Sequence, residues 1–464
     1  MRKYIFILML FNVGSLYSQN NDSVILTYQS FIERVRNEHP YAKQAEIKLS
    51  QGDAKLLYAK GGFDPKVFTD IGQKYFKGDQ YYSQINGGLK VPTWFGIELK
   101  GGYEQNAGNY LNPENRTPNN GLMYAGISMP IGQGLFIDKR RADLKKARIF
   151  QQITEAEQQI LINELVYEAG LAYWKWFESY NTLLVYDDAY RLVNQRFEAV
   201  KLGAELGERP SVDTLEAGIQ VQTRLLMLQQ SRLKFLNASE LLSVYLWEGG
   251  LIPLELAENT YPETFKEVEF ASKQPHINLI SDSLINSHPE INKSRLKIEQ
   301  YEIDQRLKKE KLKPVLNLKY NPITEPTSEE AFANYSINNY TWGLEFAMPI
   351  LLRKERGDVK LAKYKLQESQ YLVEYKQEMI RYKVTAAQNQ WATTVEQIEL
   401  FSRTVKDYQK LLKAEIRLFN TGESSLFMVN SREVGYIKAQ LKLIELLTKN
   451  RNSDLALAYS LGRL

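Results

Sequence analysis

The chain is written twice. Residues about 25 to 248 recur, landmark by landmark, as residues about 279 to 464. The first copy carries His39-Pro40, a strand ending in Met129-Pro130, Trp174 within a long helical stretch, and Gly207-Glu208; the second carries His288-Pro289, Met348-Pro349, Trp391 and Gly422-Glu423. From the Met-Pro pair onward the copies lie 219, 217 and 215 residues apart at successive landmarks, so the helical part is fixed in length. Between the His-Pro and Met-Pro pairs the first copy is longer by about thirty residues, so the β-like part is not. A tandem repeat of this kind favours two interlocked halves over several separate domains.

The opening MRKYIFILMLFNVGSLYSQ has Arg2 and Lys3, then an apolar run, then a small-residue exit near Ser18. This pattern predicts a secretory signal peptide over residues 1–18 and export of the rest. There is no cysteine, so disulfides play no part. After the signal no apolar run reaches the roughly 18 residues that a spanning helix needs, so a membrane could be crossed only as a barrel. Without Arg2 and Lys3, 57 basic residues face 55 acidic ones, which gives no electrostatic reason to expect nucleic acid.

Alternation predicts strands near residues 66–76, 83–91, 94–105, 121–130, 314–320 and 339–349. In the last, Tyr340, Trp342, Leu344, Phe346 and Met348 form an unbroken apolar stripe against Thr341, Gly343, Glu345 and Ala347. Ile127 and Met129 lie in phase in the fourth, and Phe95 is expected to begin the apolar face of the third. The same alternation would suit a soluble β-sandwich with its apolar face inward. Loop lengths favour a barrel: connections near residues 77–80, 106–120 and 321–338 fall on one rim, the turn at Pro92-Thr93 and both Met-Pro exits on the other.

Residues 25–60 read as helix, with Pro40 opening a new turn and Gly61-Gly62 as the stop. From about 138 to 202 and from about 353 to 420 there is no proline and hardly a glycine. Helices of some 65 residues would be about 100 Å long, and no compact domain needs that. Each reaches a Gly-Glu tip followed by a returning helix, near 211–247 and 425–461, as in an antiparallel coiled coil.

Together these features resemble the TolC-like family of outer-membrane efflux proteins. The carrying motifs are the two His-Pro helix starts (RNEHPYAKQAEIKLS and INSHPEINKSRLKIE), the two strand exits (ISMPIGQGLFIDKRRADLKKA and FAMPILLRKERGDVKLAKY), the two tips with their returning helices, and the closing LAYSLG. The resemblance implies a mixed α and β membrane protein: a trimeric outer-membrane β-barrel continuous with a long periplasmic α-helical coiled-coil barrel, carrying an internal tandem repeat. It implies a passive duct in a tripartite efflux pump or type I secretion system. The partners implied are two further copies, a periplasmic adaptor (membrane fusion) protein, an inner-membrane pump of RND, ABC or MFS type, and outer-membrane lipid. The expected division is a signal peptide (1–18), a first repeat (19–248; strands within about 66–130, helices within about 138–248), a linker (249–278) wrapped around the helical part, and a second repeat (279–464; strands within about 314–349, helices within about 353–461).

Carried onto this sequence, the resemblance assigns adaptor docking to Gly207, Glu208, Gly422, Glu423 and Ser424, and lipid contact to Ile127, Met129, Trp342, Leu344 and Phe346. The family commonly has two strands per copy, whereas four are counted in the first copy here, so twelve and eighteen strands per trimer both stay open. Its second-copy tip often carries two acids three apart; those positions here are Met428 and Ser431, while the first copy holds Asp213 and Glu216. The gate is therefore either an acidic ring of Asp213 and Glu216 or an apolar constriction of Phe427 and Met428.

The three histidines, His39, His276 and His288, have no convergent partners of metal-ligand spacing, and no phosphate loop or nucleophile elbow is present. No catalytic residue, metal or cofactor is expected. The competing reading is a secreted or periplasmic coiled-coil adaptor or scaffold without a pore.

Overall fold

The computed structural model describes residues 24–265, 282–326 and 335–464. The expected signal peptide (1–18) and the second half of the expected linker (266–278) lie outside the described residues. In chain order come β1 (Val24–Ile25), α1 (Tyr28–Glu38), α2 (Pro40–Lys60), β2 (Lys66–Phe76), β3 (Asp79–Pro92), β4 (Glu98–Ala107) and β5 (Leu122–Pro130). The long helix α3 (Lys139–Glu205) and its return α4 (Ser211–Ser243) lead to the two-residue strands β6 (Trp247–Glu248), β7 (Ile252–Pro253) and β8 (Thr260–Tyr261). Then follow α5 (Asp282–Asn286), α6 (Pro289–Glu310), β9 (Val315–Thr324), β10 (Tyr340–Ala347), α7 (Arg353–Asn420) and α8 (Leu426–Ser460).

The His-Pro landmarks are helix starts with one mechanism. Proline at the first helical position lacks an N–H that the helix could not use there, and it holds the residue before it extended. His39 (φ −75°, ψ 141°) and His288 (φ −60°, ψ 134°) are so held, and the Nδ1 of each accepts the backbone N–H two residues on, Tyr41 and Glu290, both at 3.2 Å. The stretch expected as one helix over 25–60 is accordingly two, divided at His39.

Six strands form one antiparallel sheet in the order β10-β9-β5-β4-β3-β2. The β2–β3 turn has two left-handed residues, Lys77 (φ 54°) and Gly78 (φ 87°), the geometry that matches strand twist. The loop after β4 is tied to its own strand: Tyr103 Oη donates to Asn120 O, Gln105 Nε2 to Asn119 O and Asn106 Nδ2 to Asn115 O, each at 3.0 Å. The strand expected from residue 94 starts instead at Glu98. Thr93 donates through both its backbone N–H (3.0 Å) and its Oγ1 (2.6 Å) to Ile97 O, closing a turn that takes up Trp94 and Phe95.

The chain divides into two compact units. In the unit made of His39–Glu168, Lys273–Thr393 and Ser453–Leu464, Ile291, Val373, Ile380, Val384, Ala387 and Leu457 form a buried cluster. Ion pairs lace its helices, Lys146 to Asp304 (2.8 Å), Lys308 to Asp358 (2.7 Å) and Lys293 to Glu157 (2.8 Å). In the unit made of Met1–Glu38, Ala169–Ser272 and Thr394–Asn452, Ala169, Ala172, Tyr173, Trp176 and Phe177 recur at helical spacing and are buried. There Tyr173 Oη donates to Leu26 O (2.8 Å), Trp176 Nε1 to Ser239 Oγ (3.0 Å), and β1 pairs in parallel with β8. The described part of the linker lies against α3 and α4: Phe265 N donates to Asn181 Oδ1 (2.9 Å), and Tyr261 stacks on Tyr180.

His288 is buried, so desolvation lowers its pKa below the ordinary histidine value; Lys383 and Lys376 push the same way and Glu290 opposes them. As pH falls through the ordinary value of about 6.5, the unfolded chain takes up the proton before the folded one, so stability is full above that range and is lost below it. Protonation would also remove the Nδ1 acceptor of the cap. Helical unfolding followed by circular dichroism at about pH 8 and about pH 5.5 should show His288→Ala losing about 1 kcal/mol at the higher pH. His288→Asn, which keeps an acceptor, should retain the cap and flatten the acid loss; an unchanged acid loss in that variant would contradict the assignment.

Candidate functional site: an inverted sheet and two helix tips

Residues opposite one another in an antiparallel register share a face. Ile127 stands opposite Leu99 and Tyr320, and Tyr320 opposite Trp342; Met129 stands opposite Leu318, and Leu318 opposite Leu344; Leu316 stands opposite Phe346. Val67 faces Leu89, Ile71 faces Ile85 and Val91 faces Leu99. The five residues assigned to lipid, Ile127, Met129, Trp342, Leu344 and Phe346, thus share one apolar face of the sheet.

That face is exposed: Val67 is 85 % exposed, Trp342 66 % and Phe346 67 %. The opposite face is mixed, with Tyr124 at 7 % but Lys66, Asp70, Lys319 and Glu345 exposed. The opposite face carries Asp70, Lys90, Glu98, Lys100, Glu104, Ser128, Asn317, Lys319 and Glu345. A sandwich would bury the apolar face against a second sheet, and the remaining sheets among the described residues are two-stranded pairs. The polar face is closely built: Tyr124 Oη donates to Asn86 Oδ1 (2.8 Å), and its ring lies over Gly102, where an added Cβ would sit 2.6 Å from the hydroxyl.

The two tips end in the same cap. At the first, Gly207 N donates to Ala204 O (3.1 Å) and Glu208 N to Gly203 O (2.9 Å); at the second, Gly422 N donates to Phe419 O (3.2 Å) and Glu423 N to Leu418 O (2.9 Å). Both are Schellman motifs, which need a left-handed residue, and Gly207 (φ 74°) and Gly422 (φ 77°) supply it. Around the second tip Ser424 Oγ donates to Glu415 Oε1 (2.5 Å), and Arg432 Nε reaches Glu415 Oε2 (3.4 Å). Arg209 from the first tip lies over the Phe419 ring at 4.2 Å.

The gate candidates fall into two environments. Asp213 and Glu216 are half-buried on α4, and Glu216 Oε1 accepts from Asn430 Nδ2 at 3.0 Å. Asn430 Oδ1 in turn accepts from Arg196 Nη1 (3.3 Å), which also pairs with the buried Glu433 Oε2 at 2.5 Å. Phe427 is exposed, as are Val212 and Leu215; Met428 is half-buried and Ser431 exposed. The structure therefore ties Glu216 to Asn430 on α8 and leaves the Phe427 side chain exposed. Sequence reasoning did not find Arg196, Glu415, Asn430 or Glu433. Arg196 and Glu433 are 237 positions apart, each amid ordinary helix-surface charges, so no local signal marks them.

Among the described residues no helix is long and apolar enough to cross a membrane. The six-stranded antiparallel sheet exposes its apolar face, the side-chain placement that the strands of a membrane β-barrel have. Residues 279–463 match the family model described as outer membrane efflux protein. No curated protein matches the chain. Among solved structures, the Campylobacter jejuni CmeC outer membrane channel is 13 % identical, covering 100 % of this chain and 94 % of its own at a TM-score of 0.67. The Vibrio cholerae outer membrane protein VceC is 14 % identical (94 % and 96 % covered, TM-score 0.65). The open state of the Neisseria gonorrhoeae MtrE outer membrane channel is 11 % identical (94 % and 88 %, TM-score 0.69). Residues 279–463 thus carry an outer membrane efflux protein domain, and the chain as a whole has the fold of these solved outer membrane channels.

If the apolar face meets lipid, a charge placed on it near the bilayer midplane costs about 2–4 kcal/mol. Leu344→Arg or Phe346→Arg should therefore block assembly into the outer membrane, whereas Glu345→Arg, on the other face, should be tolerated. Recovery of each variant in the membrane fraction checks this, and equal recovery of all three would contradict the assignment.

Proposed function

We propose that this protein is the outer-membrane channel of a tripartite efflux pump or type I secretion system, a passive duct built by three copies. The observation that carries the reading is the inverted sheet, whose two edge strands, β2 and β10, have no outer neighbour among the described residues. Exposed edges are a liability in any sheet and are excluded in hydrocarbon. With six antiparallel strands, β2 and β10 run in opposite directions, so β10 of one copy can pair with β2 of the next, and a closed ring of copies leaves no edge. Of the two strand numbers left open by the sequence, six strands per chain favour eighteen per trimer, a size that leaves an aqueous channel.

The halves 19–248 and 279–464 act as two copies of one unit, each supplying strands and a helical hairpin. The 67- and 68-residue helices α3 and α7, each about 100 Å long, form the periplasmic part of the duct. On α7, Leu361, Tyr364, Tyr371, Tyr375 and Tyr382 are exposed at spacings of three, four and seven residues, an apolar stripe suited to a neighbouring copy. A periplasmic adaptor docks on Gly207, Glu208, Gly422, Glu423 and Ser424, and an inner-membrane pump of RND, ABC or MFS type supplies the energy. At the gate, the hydrogen bond from Asn430 to Glu216 and the exposure of Phe427 favour the apolar constriction over the acidic ring.

The decisive experiment is recovery from the outer-membrane fraction as a heat-modifiable trimer that conducts ions in planar bilayers; a water-soluble monomer without conductance would refute the reading. For the tips, a side chain at Gly207 or Gly422 meets open space but a left-handed backbone that costs about 1–2 kcal/mol for other residues. Gly207→Val, Gly422→Val and Ser424→Leu should abolish export and weaken adaptor binding while leaving trimers in the membrane. Unchanged adaptor affinity of the purified variants would show that docking lies elsewhere.

A further inference from the structure

The polar face of the sheet holds an arrangement that its general polarity does not require. Lys66 stands directly opposite Lys90, and Lys90 directly opposite Lys100, so three ammonium groups form one row across β2, β3 and β4. Like charges directly opposite one another destabilise a sheet. A row with only a structural purpose would pair them with acids, yet none of the three makes an ion pair within 4 Å among the described residues, although the same face pairs Lys319 with Glu345 at 3.2 Å. Glu98, beside the row, is paired with Arg140 at 3.6 Å.

For Lys90 and Lys100 the near contacts are aromatic rings, while Glu98 and Glu104 act on Lys100 without forming an ion pair. Phe68 and Tyr124 lie on the same face one row further along. Lys90 Nζ sits 4.5 Å and Lys100 Nζ 5.1 Å from the centre of the Phe68 ring, and Lys100 is also 5.1 Å from the Tyr124 ring. A ring face holds an ammonium in place without neutralising it, so the positive charge stays available to a solute.

We propose that Lys66, Lys90 and Lys100 form a binding row for multivalent oxyanions, through which solutes bearing several carboxylate, sulfate or phosphate groups are drawn into the channel. This rests on the reading that the polar face lines the pore; in a trimer the row would occur three times around the lumen. Inside a confined polar passage such charges raise the local concentration of anions and bias conductance toward them.

The test uses assembled trimers in planar bilayers, with inorganic tripolyphosphate as the probe and a potassium chloride gradient to read selectivity. The wild-type channel should prefer chloride and be blocked by tripolyphosphate. Lys66→Gln, Lys90→Gln and Lys100→Gln together should shift the reversal potential toward cation preference and weaken block by about tenfold or more. The corresponding triple arginine variant and Lys77→Gln, in the β2–β3 turn, should behave as wild type. Trimers that conduct, with block and reversal potential equal in wild type and the triple glutamine variant, would overturn the assignment and leave the pore reading intact. Trimers that conduct nothing would overturn the pore reading and this assignment with it.

Discussion

Backbone hydrogen bonding is the constraint on which the rest of this structure depends. A strand in hydrocarbon must pair every N–H and C=O, because no water is there to take their place. Among the described residues β3, β4, β5 and β9 each have a neighbour on both sides, whereas β2 and β10 have one. Side-chain placement follows from the same setting. The apolar residues that a soluble sheet would hide are outward, and the lysines, glutamates and asparagines lie on the face that Tyr124 and the close-approach glycines help to order. The proposed ring of copies would join the two edges that a single chain leaves open among the described residues.

The helices are governed by a different balance. Glycine is rare and proline absent in α3 and α7, and both helices carry mixed charge, so their length rests on propensity and on packing along narrow buried stripes. Where the chain must stop and turn, it spends its special residues: histidine and proline at the starts of α2 and α6, glycine in the left-handed position at the ends of α3 and α7. The same device stands at His39 and at His288, and the same cap at Gly207 and at Gly422.

Much of this was legible in the residues themselves. Period-two alternation located all six strands, and the absence of helix breakers placed the long helices, expected near 138–202 and 353–420 and found at Lys139–Glu205 and Arg353–Asn420. The turn at Trp94-Phe95 was missed because two bulky apolar residues fit a strand pattern as well as a turn; only the Thr93 and Ile97 bonds decide between them. The histidines were legible as structural, but their role as caps needed the Nδ1 geometry. What the sequence could not give is anything that depends on register or on pairing between distant helices. The lysine row exists only because Lys66, Lys90 and Lys100 fall opposite one another, and a slip of one residue would send one of them to the other face. Likewise, nothing local announces that Arg196, Glu216, Asn430 and Glu433 meet.

The pairing of β5 with β9 sets the order in which this chain can fold. Met123 pairs with Thr324 and Pro130 with Asn317, contacts separated by about two hundred residues, whereas β2 through β5 follow one another directly in the chain, each pairing with the next. Local hairpins close early, and long-range ladders wait for the loop between them to be organised. As the chain emerges from N- to C-terminus, a four-stranded half-sheet is available well before its partner strands, with the β5 edge bare and the apolar face already outward. Such a species is a template for aggregation in water. Biogenesis of this protein is therefore a problem of timing: the first half has to be kept from pairing with strangers until the second half of its own chain arrives.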